Sequence, residues 1–173
     1  MEVNFCRRCG TKVTQKSPGI YTCAQGHELF YDASPAGICL LINSRDEILM
    51  VVRSCTPAKG KLDLPGGFLD FAETYEEATT RELREELGLE PHMYSELTFL
   101  CDAVDLYEYQ DETKFGLPVV FMAQVKSDDV QLTPHDDVGA AKWMAIGDID
   151  IRQIDPGFNA VRKALHIMQR RLQ

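Results

Sequence analysis

Gly67-Phe68-Leu69-Asp70-Phe71-Ala72-Glu73, then seven residues, then Arg81-Glu82-Leu83-Arg84-Glu85-Glu86-Leu87-Gly88-Leu89, is the stretch on which the fold turns. A glycine loop leads into a segment that carries three glutamates within five positions. Thr74 followed by Glu77 has the pattern of a capping box, which predicts a helix starting near Thr74. Gly88 suits its C-terminal end. Tyr75, Ala78, Leu83 and Leu87 give a partial apolar stripe. Glu82 and Glu86 are four apart and Glu82 and Glu85 three apart, so these side chains share a face. Each like-charge pair costs roughly 0.2–0.5 kcal/mol on an exposed helix. Glu82 and Glu86 also sit beside Leu83 and Leu87, at the rim of the face to be buried. Carboxylates held there need a counter-charge, and Mg²⁺ or Mn²⁺ with oxygen ligands supplies one. The plainer alternative is a solvated acidic helix balanced by Arg81 and Arg84. The glycine loop at fixed distance and the isolated Glu73 argue against it.

Outward from this stretch, the 173 residues fit one medium domain plus a small module. Hydrophobic residues make up 45%, enough for a core. The net charge of −9 argues against general nucleic-acid or acidic-membrane binding. It also means that a phosphate substrate needs local positive charge or metal ions. Met1 to Gln15 is polar, unlike a signal peptide, and the longest apolar run, Ala36 to Ile42, is too short to span a bilayer. The expected setting is cytoplasmic.

Three of the six cysteines crowd into the first 23 residues. Cys6-x2-Cys9 is followed, after thirteen residues, by Cys23-x3-His27. Two short ligand pairs separated by a hairpin-sized segment suit tetrahedral Zn²⁺. About 30 residues cannot bury enough core to fold alone, so the metal would supply the stability. Strands are expected at Lys12–Gln15 and Ile20–Thr22 around the Ser17-Pro18-Gly19 turn, giving a zinc ribbon over residues 1–33. A redox Cys-x2-Cys would open a helix after a strand, and that context is missing. Cys39, Cys55 and Cys101 are scattered, and a structural role is expected for each.

Residues 34–173 form the second unit. Ala36–Ile42 and Glu47–Arg53 flank Asn43-Ser44-Arg45-Asp46 as an antiparallel hairpin. Lys61–Leu64 leads into Pro65-Gly66-Gly67-Phe68, where glycine lets backbone approach a metal or phosphate. Leu97–Val104, Leu117–Lys126 and Ala140–Ile146 are further strands, with Asp105–Gly116 expected as a polar, acidic loop. Asp155-Pro156-Gly157 is a turn. Phe158 to Arg170 is an amphipathic helix with Phe158, Val161, Leu165 and Met168 on one face.

Residues 67–89 match, at all nine constrained positions, the Nudix box: Gly, five residues, Glu, seven residues, Arg-Glu-apolar-any-Glu-Glu-any-Gly-apolar. The chain therefore resembles a Nudix hydrolase, and the preceding ribbon is similar to that of the NADH pyrophosphatase branch. The resemblance implies an α/β/α sandwich with a mixed sheet and metal-dependent hydrolysis of a diphosphate bond. Its substrate would be a small nucleotide, a nucleoside diphosphate linked to another moiety such as ADP-ribose, NADH or a related dinucleotide. Glu85 and Glu86 would be the main Mg²⁺ or Mn²⁺ ligands, joined by the Gly66 carbonyl. Glu82 would be a further ligand or would orient or deprotonate the attacking water. Glu73 would pair with Arg81 and order the loop around Gly67. Family members often add an acid from a later loop, which nominates Asp137 and then Asp136 in His135-Asp136-Asp137. Arg53, Lys59 and Lys61 are candidates to hold substrate phosphates, against a plain solvated basic loop; Phe68, Tyr107 and Tyr109 could stack on a base, but packing or simple exposure is the expected role of each. Family members are often homodimers. The Ser-Gln-Pro-Trp-Pro-Phe-Pro-x-Ser motif of the NADH branch is absent, as is the motif preceding the box in coenzyme A pyrophosphatases. The alternatives are a (deoxy)nucleoside triphosphate pyrophosphatase, a non-catalytic sensor or regulator, and an RNA-end processor using the ribbon to hold RNA, the last disfavoured for long RNA contacts by the net charge of −9. The intact Glu73, Glu82, Glu85 and Glu86 favour an enzyme.

Overall fold

The structure, a computed structural model, describes residues 3–155 and 157–171. Its two sheets follow one another along the chain. The first is a small antiparallel sheet of β1 (Val13–Ser17), β2 (Ile20–Cys23) and β3 (Glu28–Phe30), in that order. Pro18 and Gly19 make its tight turn, with Gly19 at φ 74°, a conformation that costs glycine little. The third strand was not anticipated; three residues with one buried leucine are too short for a period to declare itself.

The second sheet begins with β4 (Ser34–Ile42) and β5 (Glu47–Arg53), continues through β6 (Leu62–Asp63), β7 (Gly66–Phe68), β8 (Thr98–Asp102), β9 (Asp105–Tyr109) and β10 (Glu112–Gln124), and ends with β11 (Val138–Ala145). The strand order is β11-β5-β4-β10-β8, with β6 on β5, β7 on β4 and β9 on β10. β4 and β10 run parallel and the other pairs antiparallel, so the sheet is mixed. Ala36–Ile42 of β4 and Ile48–Val52 of β5 are apolar because both faces are covered. Alternate residues enter opposite cores. Ile38, Leu40, Ile48 and Met50 pack with Phe158, Val161, Leu165 and Met168 of the C-terminal helix region. Cys39, Leu41, Leu49 and Val51 pack with Leu83, Leu87 and Leu89 of the box segment. The two helices, α1 (Tyr75–Leu87) and α2 (Asn159–Arg171), thus sandwich the sheet, as expected.

α1 begins where its sequence predicts. The Thr74 side chain accepts from the Glu77 amide, the Glu77 carboxylate accepts from the Thr74 amide, and Gly88 closes the helix at φ 71°. Gly37 of β4 has a packing reason, since an added Cβ would collide with Thr79 and the Tyr75 carbonyl.

One expectation is corrected. Asp105–Gly116 is not a loop but β9 plus the start of β10, paired from Gly116↔Asp105 to Glu112↔Tyr109. Gln110 and Asp111 both take positive φ, 51° and 63°, which is the turn geometry that matches the twist of a hairpin. Asn-Gly is the usual signal for it, and Gln-Asp gives none. Among the sequence-derived features, Pro156 of the expected turn lies outside the described residues.

Candidate active site and metal centres

β7 and α1 carry the same chemistry to one place. β7 runs beside β4, and α1 lies across the sheet behind it. Glu86 is 5% exposed, and its Oε2 accepts from the Gly66 amide at 2.9 Å. Among the described residues, no cationic side chain forms an ion pair with it. Burial pushes the Glu86 carboxyl up to about 8; the Gly66 amide pulls it down, and the charges of Glu82, Asp63 and Asp137 push it further up. Glu82 is half-buried and raised by the same desolvation, with Arg81 opposing it. Gly67 is glycine for a local reason: a Cβ there would collide with the Glu82 carboxylate.

Arg81 organises the rest. Its Nε and Nη2 donate to the two oxygens of Glu73 at 2.9 and 3.0 Å, a two-point pairing with good geometry. Nη2 also reaches the Phe68 carbonyl at 3.0 Å, which ties the loop to the helix. Nη1 donates to Glu82 at 2.8 Å and to the exposed Glu85 at 3.1 Å. The Glu73 carboxyl lies below its ordinary range because of Arg81 first and the Asp70 amide second. Glu77, another possible partner of Arg81, is spent on the helix cap.

The 127–137 loop is pinned to α1. The Thr133 amide donates to the Leu87 carbonyl at 3.0 Å and the His135 amide to the Glu86 carbonyl at 2.9 Å. The Ser54 amide then donates to the Asp137 carbonyl at 2.8 Å and the Ser54 hydroxyl to the Asp136 carbonyl at 3.0 Å. This brings the Asp137 carboxylate to the mouth of a cavity of about 510 Å³ that Gly66, Gly67 and Phe68 also line. Asp136 turns at φ 52°, and His135 is exposed.

The basic candidates separate. Arg53 lines the cavity, but its guanidinium is engaged: Nη1 meets Asp63 at 3.1 Å, Nε donates to the Pro57 carbonyl at 2.8 Å, and the group lies over the Phe158 ring at 5.4 Å. Its other edge faces Cys55 at 3.8 Å and Asp137 at 4.0 Å. Lys59 and Lys61 are exposed and do not line the cavity. Phe68 and Tyr109 line it; the Tyr107 side chain lies outside the described residues.

Two buried acids in this cavity were not anticipated. Asp63 accepts from Arg53 and, through Oδ1, from the Leu64 amide at 2.8 Å; burial raises its carboxyl to about 6 against the pull of Arg53. Asp105 accepts from the Ala160 amide at 2.9 Å, capping α2 from another strand, and burial raises it too. The Asp63 signal was present in the sequence as an aspartate inside the apolar Leu62–Leu64 run.

At the other end of the chain, Cys6, Cys9, Cys23 and His27 bring their ligand atoms within 4.8 Å of one another. Cys6 Sγ lies 3.6 Å from His27 Nδ1 and Cys9 Sγ 3.7 Å from Cys23 Sγ. A tetrahedral Zn²⁺ with sulfur at about 2.3 Å has edges of about 3.8 Å, so the donor set fits. The two knuckles are matched: Gly10 returns its amide to the Cys6 carbonyl and Gly26 to the Cys23 carbonyl. The buried core here is Cys6, Cys23 and Leu29, so most of it is ligand.

Comparison with known proteins bears on the family and the fold. The pattern of the NUDIX domain matches residues 33–165. An ADP-ribose pyrophosphatase of Methanocaldococcus jannaschii is 32% identical over 111 residues, 63% of this chain and 60% of the relative. The NAD-capped RNA hydrolase NudC of Haemophilus influenzae is 24% identical over 171 residues, 94% of this chain and 59% of the relative. The chain thus spans at most about three fifths of these relatives. A solved NUDIX hydrolase from Nitrosomonas europaea superposes with TM-score 0.69 at 20% identity, over 98% of this chain and 93% of that one. The NUDIX domain of Shewanella oneidensis NrtR, solved with ADP ribose, gives TM-score 0.64 at 22% identity, over 83% and 91%.

Proposed function

The chain belongs to the NUDIX domain family, and on that premise we propose that it hydrolyses the diphosphate bond of a nucleoside diphosphate joined to a second moiety. ADP-ribose, NADH and related dinucleotides lead the list. The observation that carries the reading is Glu86: a buried carboxylate, bonded to the Gly66 amide, with acids around it and no cation paired to it among the described residues. Such a group fits a hard divalent cation.

In this reading Glu82, Glu85 and Glu86, with the Gly66 carbonyl, hold Mg²⁺ or Mn²⁺. The ion would neutralise charge on the diphosphate and lower the pKa of an attacking water. Glu82 is the residue best suited to take up a proton, since its partial burial raises its carboxyl while Arg81 fixes its orientation. Glu73 serves through Arg81, holding the loop against the helix. Asp137 faces the same cavity and would complete the acidic set. Arg53 would act mainly as the partner of Asp63 rather than as a free phosphate clamp. The names of the two curated relatives, one acting on ADP-ribose and one on NAD-capped RNA, support a diphosphate flanked by a nucleoside. Residues 1–33 form a separate zinc-held module in this proposal, with Cys6, Cys9, Cys23 and His27 as ligands.

The test is a turnover screen with Mg²⁺ and Mn²⁺ over NADH, NAD, ADP-ribose, diadenosine polyphosphates, nucleotide sugars and nucleoside triphosphates. The Glu85→Gln/Glu86→Gln double variant is the blank. Turnover of a diphosphate-linked compound, lost in the blank, is expected. Tight nucleotide binding without turnover would instead make the chain a sensor.

A further inference from the structure

The cavity lined by Gly66 and Gly67 is also lined by Phe158 and by Val161 of α2, and much of that lining is not the surface a phosphate needs. Ile38, Leu64, Phe158 and Val161 make it apolar, and two carboxylates, Asp63 and Asp105, open onto it. Each acid is more than nine-tenths buried. Both are fixed: Asp63 by Arg53 and the Leu64 amide, Asp105 by the Ala160 and Asn159 amides at the start of α2. A carboxylate can accept about four hydrogen bonds, and two donors on each leave acceptor capacity. At this volume the cavity takes a group of nucleoside size.

Resting on the proposed hydrolase reading, the geometry points to Asp63 and Asp105 as specificity-determining residues that select a nucleobase bearing an exocyclic amino group. An ionised carboxylate only accepts. It therefore favours the amino edge of adenine, guanine or cytosine. The keto oxygen of hypoxanthine or uracil in the same place meets a like partial charge and leaves a buried acceptor unpaired, which is expensive. The flat apolar walls hold the ring, and the diphosphate then lies toward Gly66, Gly67 and Asp137. The arrangement also gives Arg53 a purpose. Its charge opposes the effect of burial on the Asp63 carboxyl inside an apolar wall.

The experiment compares matched substrates that differ in one group: ADP-ribose against its inosine counterpart, and a CDP-linked sugar against the UDP-linked one. With the wild-type chain the keto members should show kcat/KM lower by roughly ten- to hundredfold, mostly through KM. In Asp63→Asn the amide can donate to a keto oxygen, so the ratio should fall toward one. Equal use of both members by the wild type would overturn the inference and leave the hydrolase reading intact. No turnover of any member, with Glu85→Gln/Glu86→Gln indistinguishable from wild type, would remove the hydrolase reading and this inference with it. The wild-type comparison needs no variant, so a misfolded Asp63→Asn would not spare the idea.

Discussion

In the proposed site a proton and the metal ion would compete for the same Glu86 oxygens. In the metal-free fold burial holds its carboxyl up to about 8, whereas an unfolded chain ionises it near 4.5. The folded state therefore binds the extra proton between those values. Stability from this group is fully present below about 4.5 and is lost as pH rises toward 8. Thermal melts in a chelator should show Tm falling over that window, and Glu86→Gln should flatten the fall. Added Mg²⁺ should restore more stability at pH 8 than at pH 5; equal gains would contradict the assignment. Under assay conditions the same substitution should lower kcat by roughly two to three orders of magnitude while circular dichroism stays native. Gly67→Ala tests the neighbouring contact. The new Cβ meets the end of a flexible side chain, Glu82, so the fold should survive while activity drops well below wild type.

At the scale of elements, α1 is specified locally and used globally. Its capping box fixes where the helix starts and hence where Glu82, Glu85 and Glu86 fall relative to β7. Thr74→Ala should cost about 0.5–2 kcal/mol in denaturant unfolding. A loss near zero would mean that packing of Leu83 and Leu87 alone fixes the helix. The β9–β10 hairpin behaves differently. It mixes exposed apolar side chains, Leu106, Tyr109 and Phe115, with half-buried Glu112, Thr113 and Lys114, and of its described residues only Asp105 and Gly116 are buried, so no regular alternation marks it in sequence. Pairing with a strand already held between β4 and β8 is what makes it a strand. The hairpin matters to the site because it delivers Asp105 and Tyr109 to the cavity.

The whole molecule combines a sandwich with a core on each face of its sheet and a ribbon that has almost no core of its own. The two should respond differently to metal. A strong zinc chelator, or Cys6→Ser or Cys23→Ser, should remove one equivalent of zinc and unfold residues 3–30, read as early proteolysis there. The rest of the chain should keep its melting transition. Purified protein without zinc by elemental analysis would remove the ribbon reading.

The amino-acid sequence by itself determined the things that depend on spacing along one element. Among these are the helix of residues 75–87 with both caps, the face shared by its glutamates, the hairpin of Ala36–Ile42 with Glu47–Arg53, and the grouping of Cys6, Cys9, Cys23 and His27. Local periods and turn chemistry act within a few residues, so they can be read from a single string. The tertiary structure alone decided what depends on distant segments meeting. Asp63 and Asp105 lie 42 positions apart and become neighbours of one cavity only when β6, β9 and α2 close around it. Arg53, basic in sequence and so a natural phosphate ligand, becomes the partner of Asp63 because a buried carboxylate takes the nearest cation. Burial is what sets Asp63 and Asp105 apart from ordinary surface charges, and burial is a property of the packed chain.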